Sequence, residues 1–176
     1  MRWKGSIFMK KMVLSILVHN TSGVLSRVSG LFSRRGYNIS SLSVGETQDS
    51  NYSRMTVVAY GDNQILEQIE KQLSKLEDVK EIKVLLPDES VCRELVLVQV
   101  LASEKDRQAV ISVADIFRAK IVDVAKESLM IELTGNQAKV EAFIKLLEDF
   151  TIKEIVRTGI TGLPRGSGDL SDYIDE

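Results

Sequence analysis

One order of elements, strand-helix-strand-strand-helix-strand, is written twice along this chain of 176 residues, and that repetition limits the fold more than any other feature. In the first copy, Val13-Leu-Ser-Ile-Leu-Val18 is a β-rich run with Leu14, Ile16 and Val18 on one face. From Gly23 the period changes, and Val24, Leu25, Val28, Leu31 and Phe32 fall on one helical stripe. Thr21 or Ser22 is placed to cap that helix, and Gly36 to end it with positive φ. Strands follow over 38–44 and 52–60, joined by the polar hairpin segment 46–51. Asp62 caps a second helix whose stripe is Ile65, Leu66, Ile69, Leu73 and Leu76, and a strand over 79–86 ends before Pro87.

The second copy begins after Arg93. A strand over 95–101 leads to a helix over 104–119 carrying Val110, Val113 and Phe117 in register. Strands over 121–125 and 129–134 form a hairpin, 137–149 is a helix with Val140, Phe143, Ile144 and Leu147 inside, and 152–156 closes the unit. The repeat is about 80 residues long. The order is the split βαβ plait, so the expected fold is α+β: two tandem βαββαβ ferredoxin-like domains over 10–87 and 92–161. Each has a four-stranded antiparallel sheet with both helices on one face. Leu95-Val-Leu-Val98 is apolar on both faces, which predicts cover on both sides from another domain or subunit. Residues 162–176 hold Gly162, Pro164, Gly166 and Gly168 before an acidic end, and read as an irregular tail.

Several function classes fall away on composition. Net charge is −2 with both signs interspersed, which gives no basic face for nucleic acid. No apolar run approaches the roughly 20 residues of a membrane span, and the basic start over 1–9 is too short for a signal peptide. A single cysteine, Cys92, precludes an internal disulfide and fits a cytoplasmic setting. With one histidine, His19, and one cysteine there is no metal-ligand set. No Gly-rich phosphate cradle is present. The expectation is a chain with no catalytic residues and no cofactor of its own; an enzyme built on His19 is the remaining catalytic reading.

The turn Asn20-Thr-Ser-Gly-Val-Leu25, between the first strand and first helix, carries a binding signal. A helix start presents unpaired N–H groups and a positive dipole end, which suit a carboxylate. Asn20 can donate and accept there, Gly23 leaves room for close approach, and Val24 and Leu25 supply apolar wall. A plain strand-helix turn would explain the same residues. The matching loop of the second copy, 102–108, has no glycine and carries Glu104 and Asp106, so the fold itself does not demand the pattern.

The stretch from Asn20 through Gly23-Val-Leu-Ser-Arg-Val-Ser-Gly-Leu-Phe-Ser-Arg-Arg-Gly-Tyr-Asn38-Ile-Ser-Ser-Leu42 resembles the signature of the acetolactate synthase (acetohydroxyacid synthase) small subunit. Ser53-Arg-Met-Thr56, Gln68–Leu76, Ile116–Val124 and Arg157-Thr-Gly-Ile-Thr-Gly-Leu-Pro-Arg-Gly166 also fit, so the resemblance covers 10–166. It implies an N-terminal ACT domain that binds an effector and dimerises, followed by a related C-terminal domain. It implies a regulatory subunit in valine, isoleucine and leucine biosynthesis that activates a catalytic large subunit and confers feedback inhibition, with valine the favoured effector. Thiamine diphosphate, FAD and Mg²⁺ would belong to that partner. By the same resemblance Asn20, Gly23, Val24 and Leu25 form one side of the effector site, and Asn38 and Ile39 from the facing subunit of a homodimer form the other. A stand-alone ACT-type amino-acid sensor with another target is the alternative.

Overall fold

A computed structural model of the chain describes residues 9–166. Its contacts divide into two units, 1–92 with 162–176, and 93–161; within the first, the described residues begin at Met9 and end at Gly166.

The first unit runs β1 (Lys10–His19), α1 (Val24–Arg34), β2 (Ile39–Glu46), β3 (Tyr52–Gly61), α2 (Asn63–Leu73) and β4 (Val79–Val84). The sheet order is β2-β3-β1-β4, antiparallel throughout, so β2 and β4 are its edges. Alternation along β1 buries Leu14, Ile16 and Val18 completely, and Met55, Val57 and Ala59 of β3 lie on the same face. Val24, Val28, Leu31 and Phe32 of α1, with Ile69 and Leu73 of α2, close the core. Each such side chain contributes roughly 1.5–3 kcal/mol by leaving water.

Two local expectations need correction. Leu25 is not part of the buried stripe of α1; it is 43% exposed. Neither Thr21 nor Ser22 caps that helix, because Gly23 occupies the N-cap position in the left-handed region, φ 86°, and no side chain bonds the first turn. By contrast, Asp62 Oδ1 accepts from the Ile65 N–H at 2.8 Å, and Gly36 takes positive φ at 68°.

The second unit holds the greater part of β5 (Ser90–Leu101), then α3 (Arg107–Phe117), β6 (Lys120–Val124), β7 (Ser128–Gly135), α4 (Gln137–Leu147) and β8 (Thr151–Arg157), in sheet order β6-β7-β5-β8. Val96, Val98 and Val100 pack under α3 and α4 with Leu129, Ile131, Leu133 and Phe143. Phe117 meets Phe143 edge-on with ring centroids 5.4 Å apart. Helix α3 starts three residues later than the expected 104, because 104–106 form a turn closed by Ser103 Oγ donating to Asp106 Oδ2 at 2.7 Å. Leu95 and Leu97, on the opposite face of the strand, are half-buried.

The irregular tail also needs correction. Thr161–Pro164 form a short strand, β9, paired with β5. Residues 162–166 belong to the first unit, where the Arg165 N–H donates to Glu89 O at 2.7 Å. Proline and glycine mark a break in local pattern, but here backbone bonds to a distant strand order the segment. The remainder of the expected tail, 167–176, and residues 1–8 lie outside the described residues.

Candidate functional site

The β1–α1 loop is built from three constraints. First, it is tied to the β2–β3 hairpin: the Asn20 N–H donates to Asn51 O at 2.7 Å, and Asn20 Nδ2 donates to Ser50 O at 2.9 Å and to Glu46 Oε2 at 3.2 Å. The hairpin is itself stiffened by Asp49, whose Oδ1 accepts from the Asn51 backbone N–H at 3.0 Å and from Asn51 Nδ2 at 2.8 Å. Second, Gly23 turns the chain into α1 with a backbone that other residues adopt only at a cost of roughly 1–2 kcal/mol. Third, Val24 is sunk into the core, 3% exposed, and anchors the helix start.

The first turn of α1 keeps open N–H groups. Those of Leu25 and Ser26 have no acceptor among the described residues, and no side-chain cap replaces one. Arg27 lies over the turn. Its Nη1 is 2.9 Å from where a β-carbon on Gly23 would stand, and its Nε donates to Asp78 Oδ2 at 2.6 Å. That hydrogen bond, more than the Coulombic attraction beside it, holds the Asp78 carboxyl below its ordinary range and the Arg27 guanidinium above its own. The loop therefore pairs a glycine gap with uncommitted N–H donors and a fixed cation, an arrangement that favours an anion.

Of the expected site residues, the structure brings Asn20, Gly23, Val24 and Leu25 together in one loop. Asn20, Gly23 and Leu25 are exposed, whereas the side chain of Val24 faces the core and lends only backbone to the surface. Asn38 and Ile39 are elsewhere. Ile39 starts β2 opposite Ala59, which in turn faces Met12, while Asn20 follows His19 at the other end of β1. Seven residues of strand, roughly 23 Å, separate the two groups within one chain.

His19 stacks on Tyr52, ring centroids 5.3 Å apart, and Cys92 Sγ is 4.0 Å from Ser90 Oγ. Among the described residues no group of His, Cys, Asp and Glu is set to hold a metal ion, and no helix is long and apolar enough to cross a membrane. Sequence reasoning overlooked Glu46, Arg27 and Asp78 at this loop; each arrives from 26 to 51 residues away or along the far side of a helix turn.

The comparable loop of the second unit is closed differently. Arg107, the first residue of α3, turns its Nη2 to Ala125 O at 3.0 Å and Lys126 O at 2.6 Å, bracing the hairpin rather than facing outward. A surface hollow of about 640 Å³ lies there, and another of about 460 Å³ lies between α2 and β4; neither is lined by the Asn20–Leu25 loop.

Residues 14–81 match the family described as AHAS small subunit-like ACT domain, and residues 93–166 that described as small subunit of acetolactate synthase. A probable acetolactate synthase small subunit of Methanothermobacter thermautotrophicus is 49% identical over 156 residues, 88% of this chain and 93% of that protein. The chain belongs to the acetolactate synthase small-subunit family. The Haemophilus influenzae acetolactate synthase small subunit is 50% identical over 159 residues, 90% of this chain and 98% of its own. Among solved structures, the small subunit from Thermotoga maritima superposes with a TM-score of 0.83 at 43% identity, covering 90% of this chain and 99% of that one. The two βαββαβ units are thus those of a regulatory small subunit, with an ACT domain first, and membership implies a catalytic large subunit as partner.

Proposed function

We propose that this small subunit activates a catalytic acetolactate synthase subunit and makes it sensitive to feedback inhibition by valine, bound at the Asn20–Leu25 loop. The supporting observation is the contrast between the two units: the first has a left-handed glycine, open N–H groups and Arg27 at the start of α1, and the second has an arginine spent on its own hairpin. The catalytic partner would carry thiamine diphosphate, FAD and Mg²⁺. A carboxylate at the helix start gains roughly 0.3–1 kcal/mol from the dipole, and burying an isopropyl group adds about 1.5–3 kcal/mol. Charge-assisted hydrogen bonds add roughly 1.5–3 kcal/mol each. After the cost of immobilisation, micromolar to millimolar affinity results, which suits a metabolite sensor.

The second wall of the site is proposed to come from another copy of the chain. Asn20 and Ile39 sit at opposite ends of the sheet, with β2 at its edge. A two-fold axis through the middle of that edge sets Asn38 and Ile39 of each copy against the β1–α1 loop of the other. The homodimer is then part of the site.

The test is reconstitution: the chain is mixed with the catalytic subunit, acetolactate formation is measured, and valine is titrated. The expected result is a rise in rate on mixing and a valine-dependent fall. A catalytic subunit that ignores both the chain and valine sinks the reading.

A further inference from the structure

The neighbours of Asn20 decide which way its amide faces. Glu46 Oε2 at 3.2 Å and Ser50 O at 2.9 Å both accept hydrogen bonds and have no hydrogen to give. Reversing the amide would set Oδ1 against two other oxygens, so the network fixes the assignment. Both amide hydrogens are committed to the hairpin, and Oδ1 is what the side chain has left to offer a ligand. An atom in that role meets a donor, not a carboxylate.

The Glu46 carboxylate lies beside it and has no other hydrogen-bond partner among the described residues. The two groups together make an acceptor-only, negatively charged end to the loop. The start of α1 is the reverse: the Leu25 and Ser26 N–H groups and the Arg27 guanidinium are donors only. A ligand lying across Gly23 meets donors at one end and acceptors at the other.

We propose that the loop reads its effector as a zwitterion, with Glu46 and Asn20 Oδ1 receiving the α-ammonium group and the start of α1 receiving the carboxylate. The proposal rests on the reading above that a branched-chain amino acid binds this loop, and it moves Asn20 from the carboxylate to the ammonium. Glu46 becomes the residue that separates an amino acid from acids of the same carbon skeleton without the amine. Such discrimination has a use, since a sensor of an amino acid must not answer to acids that share its carbon skeleton. Glu46 is exposed in the free chain, and a ligand that covers it without supplying a cation leaves its charge unpaired beside the bound molecule, which is what rejects them.

The experiment uses the reconstituted complex and two probes, valine and 3-methylbutanoate, which is valine without its ammonium group. With the wild-type chain, valine should inhibit, and 3-methylbutanoate should have no effect at tenfold higher concentration. Glu46→Gln keeps an oxygen to accept from Asn20 Nδ2, so the hairpin tie survives while the charge is lost. Its valine midpoint should rise about tenfold or more, the loss of one charge-assisted bond, with the unfolding temperature unchanged. Equal inhibition of wild type by the two probes overturns the proposal without any variant. So does a folded Glu46→Gln chain with a wild-type valine midpoint; in both cases valine still binds and the effector loop stands. If the wild type ignores valine altogether, the underlying reading of the loop fails and the zwitterion site with it.

Discussion

The Gly162 N–H donates to Thr56 Oγ1 at 3.2 Å, joining residues 106 positions apart in a buried setting. Thr56 lies on the sheet face turned away from α1 and α2, 2% exposed, beside fully buried Ser15. A β-carbon on Gly162 would stand 2.7 Å from Cys92 Sγ, 2.8 Å from Leu85 Cδ1 and 3.2 Å from Val91 O. Glycine is required there by space, not by backbone conformation. Gly162→Val is therefore expected to destabilise the first unit by about 1–3 kcal/mol through overpacking. Thr56→Val, which leaves the N–H unpaired, should cost about 1–2 kcal/mol. Denaturant unfolding of each variant and of the pair checks this, and sub-additive costs would identify one shared contact.

Gly23→Asp separates ligand binding from folding. At φ 86° an aspartate pays roughly 1–2 kcal/mol, less than a branched residue would, because short polar side chains tolerate this region. The preference of helix starts for acidic residues does not offset that strain, because it applies to an N-cap in the extended region and not at positive φ. The new side chain enters 2.9 Å from Arg27 Nη1 and sets its own carboxylate beside the guanidinium. The expected protein is folded, activates its partner and has lost its valine response. Gly23→Ala carries similar strain and no charge, so its valine midpoint should shift far less. Calorimetric valine titrations of both variants, with unfolding curves alongside, provide the check.

These two glycines show what the sequence makes legible. Helices α1 and α2 and strands β1 and β3 follow from periodicity, because their pattern is local and one face of each packs on the core. Gly36 and Asp62 were readable for the same reason. Strand β9 was not: four residues with a glycine and a proline have no period, and only pairing with β5 makes them a strand. The loop 20–25 stood out by composition, and its contrast with 102–108 was visible without coordinates. The partners that give the loop its polarity were not, since Glu46 and Asp78 reach it only through tertiary folding. Nor could the pattern show that Val24 points inward while Leu25 points out.

The Arg27–Asp78 pair yields a pH dependence with a defined sign. Asp78 is held below the ordinary carboxylate range chiefly by the hydrogen bond from Arg27, so its stabilisation is present above the unfolded value, near 3.9 for aspartate, and is lost as pH falls through the folded one. Arg27 is raised, so its share is present at every pH below the ordinary arginine value and does not alter the acid limb. Wild type should then be the more stable of the two above about pH 5, and wild type and Asp78→Asn should converge below about pH 4. Unfolding curves from about pH 3 to 8 test the claim, and a gap that widens as pH falls below about 5 contradicts it.

In the second unit Arg157 grips Glu94 with a two-pronged contact, Nε to Oε1 at 2.8 Å and Nη2 to Oε2 at 2.7 Å. The Glu94 side chain is 4% exposed and the Arg157 side chain 40%, so the two partners are not equivalent. Removing Arg157 strands a buried charge, whereas removing Glu94 releases a cation that already reaches water. Arg157→Ala should accordingly cost about 2–4 kcal/mol, and Glu94→Ala distinctly less. Arg157→Lys keeps the charge but cannot form both bonds at once, and should fall between wild type and Arg157→Ala. Replacing both residues with leucine removes charge and counter-charge together, and should recover most of the Arg157→Ala loss. Valine response should be untouched in all four, because the pair lies wholly in the unit that lacks the effector loop. A double-mutant cycle by denaturant unfolding measures the coupling, and equal costs for the two single alanine variants would refute the asymmetry.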